Sequence, residues 1–130
     1  MLLLFMACGP TTVPQQSYNT SPNISFISPP SNSKSEYITG EEILFIASVY
    51  DENQDPETLS LLWNSDRDGQ LWDSENGGIL SEDLISEVNE EGEVTLAISI
   101  LNEGTHVITL NVVDEENSSN NDWVEIRIRP

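Results

Sequence analysis

Carboxylate side chains dominate the chemistry available to this chain. It contains 23 Asp and Glu residues against 4 Lys and Arg, a formal net charge of −19. Two acidic loops, residues 51–57 and 114–117, each follow a predicted strand. Carboxylates, amides and carbonyls are the ligands of Ca²⁺, which takes about 6–8 oxygens. The same charge disfavours binding to nucleic acid and to anionic lipid surfaces, because their phosphates repel carboxylates.

Groups suited to catalysis are scarce. The chain has one histidine, His106, and one cysteine, Cys8. A Ser–His–Asp triad requires a histidine in a pocket beside a serine, whereas His106 lies in an alternating apolar stretch. Gly-rich phosphate-binding loops, Cys/His zinc clusters and dinucleotide fingerprints are all missing from the sequence. We therefore expect no enzymatic activity.

Cys8 ends the apolar segment 1–8. An apolar run with a small residue before a cysteine resembles the lipobox of prokaryotic lipoproteins, which implies lipidation of Cys8. The segment is shorter than a normal signal peptide and has no Lys or Arg after Met1; a start codon placed too late would explain both. It is also far below the ~20 residues that span a membrane. The alternative is an apolar terminus with an incidental free cysteine.

Residues 9–35 have the composition of a linker. They contain no Asp or Glu and are rich in Ser, Thr, Asn, Gln and Pro, so they cannot bury a core of their own. A first strand is predicted near 24–28. All the acidic residues lie from Glu36 onward, inside a predicted domain at 22–130. This organisation predicts a membrane-proximal tether that carries one folded module.

Alternation of apolar and polar residues predicts about seven strands. In the clearest, Ile108, Leu110 and Val112 alternate with more polar residues, the period of a half-buried strand. Similar patterns predict strands at 24–26, 43–50, 59–64, 70–72, 94–99, 107–113 and 124–128. Short strands separated by turn residues are typical of an all-β, two-sheet antiparallel sandwich.

Residues 81–90 depart from this pattern. Leu80, Leu84 and Val88 fall at i, i+4 and i+8, and Ser81 precedes two acidic residues in the manner of a helix N-cap. The spacing predicts one short helix here.

Two segments carry a family resemblance. Residues 104–114 read G-T-H-V-I-T-L-N-V-V-D and residues 63–69 read W-N-S-D-R-D-G. They resemble the G-x-Y-x-V-x-L-x-V-x-D and W-x-S-D-x-D-G patterns of polycystic-kidney-disease (PKD) and related bacterial or archaeal Ig-like repeats. The resemblance covers about 22–130 and implies an Ig-like sandwich with Trp63 in its core. It also implies a packing or hydrogen-bonding role for His106, which replaces the family's tyrosine.

The resemblance also has consequences for the acidic loops. In such a sandwich the two loops lie at one pole, where some PKD-like and cadherin-like modules bind Ca²⁺. This implies Asp51, Asp55 and Asp114 as calcium ligands. The alternative is that these residues form turns through local side-chain to backbone bonds. Asp66 and Asp68 belong to the opposite pole, where a turn role is expected.

These observations predict a non-enzymatic cell-surface lipoprotein, lipid-anchored at the cell surface or outer membrane of a prokaryote. Its Ig-like module would serve a structural, adhesive or protein-interaction role, with a surface protein or a glycan as partner and no nucleic acid. One alternative is a carbohydrate-binding module, in which Trp72 or Trp123 stacks on a sugar ring. Another is an accessory fragment of a larger secreted enzyme, since such repeats often flank catalytic domains.

Overall fold

The computed structural model describes residues 19–130, so Cys8 and the lipobox-like segment lie outside the described residues. Within these residues the chain forms ten strands, joined by turns and by one 3₁₀ turn at Pro56–Thr58. The strands are β1 (Asn23–Ser28), β2 (Lys34–Ile38), β3 (Ile43–Tyr50), β4 (Ser60–Ser65), β5 (Gly69–Asp73), β6 (Gly77–Gly78), β7 (Ser86–Val88), β8 (Glu93–Ile98), β9 (Gly104–Val113) and β10 (Ser119–Arg129).

The strands form two sheets. One has six strands in the order β2-β10-β9-β4-β5-β6, and the other has four in the order β1-β3-β8-β7. All pairs are antiparallel except β2 with β10. Two strands, β5 and β6, extend the larger sheet beyond β4, as in variable-type Ig domains. The predicted two-sheet, all-β sandwich is confirmed.

The core lies between the two sheets, where inward side chains alternate with outward ones along each strand. Trp63 on β4 is completely buried, as predicted, and its ring meets Phe26 and Phe45 at centroid distances of 5.8 and 5.9 Å. Its indole Nε1 donates a hydrogen bond of 2.8 Å to Ser86 Oγ. This bond satisfies the one polar group of the ring and ties β4 of one sheet to β7 of the other.

The short helix predicted at 81–90 is wrong. Turns lead into β7, and Leu84 and Ser86 are buried while Ile85 is 67% exposed. This is the two-residue period of a strand. This two-residue period could not be recognised in the sequence, because the inward position between Leu84 and Val88 is a serine. The apolar residues alone therefore show a four-residue spacing, which is typical of a helix.

The strand count exceeds the expected number of about seven because β2, β6 and β7 carry no apolar alternation that the sequence could reveal. Among the described residues, the structure contains no helix of the length and hydropathy needed to cross a membrane.

Candidate interaction surfaces

The two acidic loops meet at one pole of the sandwich, as expected from the fold. They follow β3 and β9, and the backbone N–H of Glu115 donates a 2.8 Å hydrogen bond to Gln54 Oε1 across them. The chain before β1 reaches the same pole. Thr20 donates from its backbone N–H and its hydroxyl to Asn53 Oδ1, at 3.0 and 3.2 Å. The loops are therefore held together by amide groups.

Asp114 is the best-bonded carboxylate of this acidic pole. Its Oδ1 accepts the N–H groups of Glu116 and Ser118, both at 2.9 Å, and its Oδ2 accepts Asn19 Nδ2 at 2.8 Å. Burial raises the pKa of Asp114, but the hydrogen bonds from Asn19, Ser118 and Glu116 outweigh it and hold the pKa below the ordinary value of 3.8. These bonds favour the ionised form, as expected of a turn-organising carboxylate.

The other two predicted calcium ligands, Asp51 and Asp55, have different surroundings from Asp114. Asp51 is buried; its Oδ1 accepts the N–H of Asn53 at 2.7 Å, and its Oδ2 has no hydrogen-bond partner. Asp55 is exposed and lines, with Asp51 and Glu91, a cavity of about 390 Å³. Within residues 19–130, no three acidic, His or Cys side chains are grouped so as to hold a metal ion. Calcium binding by Asp51, Asp55 and Asp114 stays a prediction.

His106 sits where Ig-like domains often have a tyrosine that bonds to the backbone a few residues upstream. It is completely buried; its Nε2 lies 2.7 Å from Asn102 O, and its Nδ1 lies 2.7 Å from Ser65 Oγ. Because a carbonyl only accepts, the Nε2–H tautomer is assigned, and Ser65 donates to Nδ1. Ser65 Oγ also accepts the N–H groups of Arg67 and Asp68, both at 3.1 Å. This buried Ser–His pair closes a turn.

Asp66 and Asp68 lie in the β4–β5 turn at the opposite pole, but their carboxylates bond to residues near the start of β9 instead of within the turn. Asp66 Oδ1 accepts the N–H of Val107 at 2.8 Å. The carboxylate of Asp68 accepts both the N–H and the side-chain amide of Asn102, at 2.9 and 2.8 Å. Together these bonds fasten the β4–β5 turn to the start of β9.

The two tryptophans proposed for sugar stacking have different environments. Trp72 on β5 is half-buried and packs against the core beside the edge strand β6. Trp123 on β10 is 39% exposed on the outer face of the six-stranded sheet, where it pairs with Thr109, which in turn pairs with Asn64. Only Trp123 therefore offers a ring to solvent in the middle of a polar sheet face.

Positive charge is confined to part of the surface. Lys34, Arg127 and Arg129 lie on β2 and β10, at one edge of the six-stranded sheet. Arg129 forms a 3.3 Å ion pair with Glu36 there. The fourth basic residue, Arg67, lies in the β4–β5 turn, and its Nε donates a 2.8 Å bond to Glu103 O. Since the sequence holds 4 Lys and Arg in all, the four-stranded sheet carries none.

The outer face of the four-stranded sheet has a feature that sequence reasoning missed. Leu44 on β3 is 50% exposed and pairs with Ala97 on β8. Ser86 pairs with Leu96 in the antiparallel β7–β8 ladder, so Ile85, one residue earlier, lies level with Ala97. Ile46, two residues further along β3, pairs with Ser28 of β1, beside the bulge that holds the exposed Ile27. An apolar strip, defined as Ile27, Leu44, Ile46, Ile85 and Ala97, thus crosses the whole sheet.

Comparison with solved structures places the fold. A chain in the crystal structure of Dpr1 IG1 bound to DIP-eta IG1 matches with a TM-score of 0.55 and 13% identity, over 86% of this chain and 99% of that one. A chain in the structure of Dpr11 IG1 bound to DIP-gamma IG+IG2 matches with a TM-score of 0.52 and 15% identity, over 82% and 50%. The fold is an Ig-like β-sandwich. No protein-family model and no curated protein sequence matches the chain.

Proposed function

We propose that this protein is a non-enzymatic cell-surface lipoprotein whose Ig-like module binds another protein. The observation that carries the binding role is the presence of large apolar side chains on an outer sheet face, such as Leu44 at 50% exposed. Exposed apolar patches mark interaction sites more often than isolated exposed residues do. The only histidine, by contrast, is buried and bonded to a buried serine, so this pair cannot meet a substrate.

Likeness to chains crystallised as Ig–Ig complexes supports this role. Dpr1 IG1 is bound to DIP-eta IG1 in its structure. The sandwich of this chain aligns with 99% of one chain of that complex. A binding role for a sandwich of the same shape needs no catalytic groups, since loops and sheet faces supply the contacts. The finer assignment to PKD-like or cadherin-like repeats is part of this proposal, on the sequence patterns at 63–69 and 104–114.

The anchoring part rests on the segment 1–8 and the composition of 9–35. The test is mass spectrometry of the N-terminal peptide from the membrane fraction of cells that produce the full chain, with Cys8→Ser as control. We expect a diacylglyceryl-type mass increment on Cys8, and a Cys8→Ser variant that leaves the membrane fraction. Recovery of an unmodified Cys8 behind an intact Met1 would contradict the anchor and leave the binding role to be judged separately.

The protein-binding part is tested by cross-linking in intact cells followed by mass spectrometry of the purified adducts. We expect an adduct with another protein whose yield falls when the sandwich is destabilised by Trp63→Ala. Cells that yield adducts with neither a protein nor a second copy would contradict the binding role.

A second candidate, binding of a glycan, is favoured by one observation. Trp123 presents its ring on a polar face next to Thr109 and Asn64, and such a ring can stack on a sugar. Trp123→Ala should abolish binding on a glycan array, while Trp72→Ala, whose ring packs against the core, should leave it intact if the variant folds. Array binding that survives Trp123→Ala excludes this candidate.

A further inference from the structure

The composition of β3 sets it apart from the other long strands. Of its residues, ILFIASVY, only Ser48 is a small polar residue. Antiparallel sheets with one solvated face show a clean alternation of apolar and polar residues, whereas strands covered on both faces read as near-continuous apolar runs. Strand β10 follows the first pattern, since Glu125, Arg127 and Arg129 point outward. Strand β3 follows the second, although its outer face is solvent-exposed in the single chain.

The apolar strip extends the apolar outer face of β3 across all four strands of the sheet. Neighbouring strands lie about 4.8 Å apart, so four of them span about 14 Å. Ile27, Leu44 and Ile85 are 53%, 50% and 67% exposed, and they lie on three different strands or their ends. Apolar residues from distant parts of the chain that adjoin one another across a sheet form an organised surface, unlike singly scattered exposed residues.

The charges beside the strip all have one sign. Glu87 pairs with Thr95, which pairs with Ile46 of the strip, and Glu93 begins β8 on the same face. No Lys or Arg occurs between Arg67 and Arg127, or in β1 and β3. The basic residues lie on the outer face of the other sheet and in the β4–β5 turn, so nothing on this face neutralises the acids. A partner that covers the strip would gain from basic residues at its margin.

We propose that the outer face of the four-stranded sheet is the docking surface for a protein partner that presents an apolar ridge flanked by Lys or Arg side chains. This inference rests on the proposed binding role and adds the surface and the chemistry of the partner. A second copy of this chain is disfavoured as occupant, because pairing two such faces would bring Glu87 and Glu93 of both copies together in chains of net charge −19. The apolar ridge supplies the contact area, and the basic rim supplies orientation and selectivity.

The test places the photo-cross-linking residue p-benzoylphenylalanine at Leu44 in the full chain, in the cells that produce it. The matched probe replaces Thr109, which lies at the centre of the outer face of the six-stranded sheet. Cross-linked peptides are sequenced by mass spectrometry. We expect the Leu44 probe to react with a partner segment in which apolar residues are flanked by Lys or Arg, and the Thr109 probe to react with none.

Lysine substitutions then show whether a loss of cross-linking is specific to this sheet face or follows from any added charge. With the probe at Ala97, Leu44→Lys and Ile85→Lys should each lower the yield of the same adduct about tenfold, because each puts a positive charge in an apolar contact beside the partner's basic rim. Thr109→Lys adds the same charge on the other sheet and should leave the yield unchanged. Thermal melting checks that all three variants remain folded.

The remaining outcomes are distinguishable. Adducts at Thr109 but not at Leu44 would overturn the docking surface and leave the binding role intact. A Leu44 adduct with a second copy of this chain, or with an acidic or wholly uncharged segment, would overturn the chemistry assigned to the partner. If neither probe yields a protein adduct, both the docking surface and the proposed binding role fail.

Discussion

At the residue scale, Trp63 is the side chain on which the sandwich most depends. It is completely buried, contacts Phe26 and Phe45 and donates a hydrogen bond to Ser86. Trp63→Ala should lower the free energy of unfolding by roughly 3–5 kcal/mol, through lost burial and the cavity left behind. Chemical denaturation measures the change. Trp123→Ala, at a half-exposed ring, is the control and should cost less than ~1 kcal/mol; equal losses in the two variants would contradict the inward orientation of β4.

Asp114 connects a single carboxylate to the pH dependence of stability. Hydrogen bonds hold its folded-state pKa below 3.8, so it contributes stability that is present above the unfolded-state pKa and lost as the pH falls through the folded-state pKa. Asp114→Asn should therefore destabilise the protein at neutral pH, and the gap to the wild type should close as the pH falls below about 3.8. Denaturation at a series of pH values measures the gap. A gap that stays constant down to the lowest pH would contradict the stabilising role of these hydrogen bonds.

At the element scale, the sequence predicted those strands whose inward residues are apolar. Strands β3 and β9 were readable because Phe45 and Leu110, with their neighbours, alternate inward. Strand β2 was not, because its inward residues are Ser35 and Tyr37 while Ile38 is exposed. The two residues of β6 are glycines without a pattern, and Ser86 hid β7. Hydrogen bonding and pairing with a neighbouring strand decided these elements, and neither is visible in local periodicity.

The turn between β7 and β8 offers a test of how tightly adjacent elements are packed. Gly92 has φ +87°, and a Cβ at this position would clash with the carbonyl oxygen of Val49 in β3. Gly92→Ala should cost more than the ~1–2 kcal/mol of a left-handed non-glycine residue, because the β3 carbonyl must also move. Gly40 has the same φ of +87° but open space around it, so Gly40→Ala isolates the backbone cost. Denaturant midpoints that are equally lowered would show that the loop yields freely to the added methyl.

At the scale of the whole molecule, the apolar strip arises from strand pairing, which only part of the sequence pattern predicts. The nearly continuous apolar run of β3 is visible in the sequence, where it predicts a strand but not an exposed apolar outer face. Its alignment with Ile27 and Ile85 follows from strand pairing between residues far apart in the chain, which no local pattern contains. The meeting of Asp51 and Asp114 at one pole was predictable, because it follows from the fold alone. The hydrogen bonds that both oxygens of Asp114 accept could not be predicted from the sequence.

The net charge of −19 makes stability depend on salt. The acidic pole contains no basic residue, so added ions should raise the melting temperature by screening repulsion within about a Debye length, ~8 Å at physiological salt. At equal ionic strength this general effect should be the same for any non-binding salt. A comparison of salts without matched ionic strength would therefore mistake screening for binding.

Calcium binding by the acidic pole can be separated from screening on this basis. Ca²⁺ needs about 6–8 oxygens, but both oxygens of Asp114 and one of Asp51 already accept hydrogen bonds, which leaves Asp51 Oδ2 as the unpartnered buried oxygen of the pair. We expect equal melting temperatures in Ca²⁺ and Mg²⁺ at matched ionic strength. A calcium site would instead add a saturating term, about 2.7 kcal/mol at a hundredfold excess over Kd. That term would disappear in Asp51→Asn/Asp114→Asn and persist in Asp66→Asn/Asp68→Asn, whose carboxylates lie at the opposite pole.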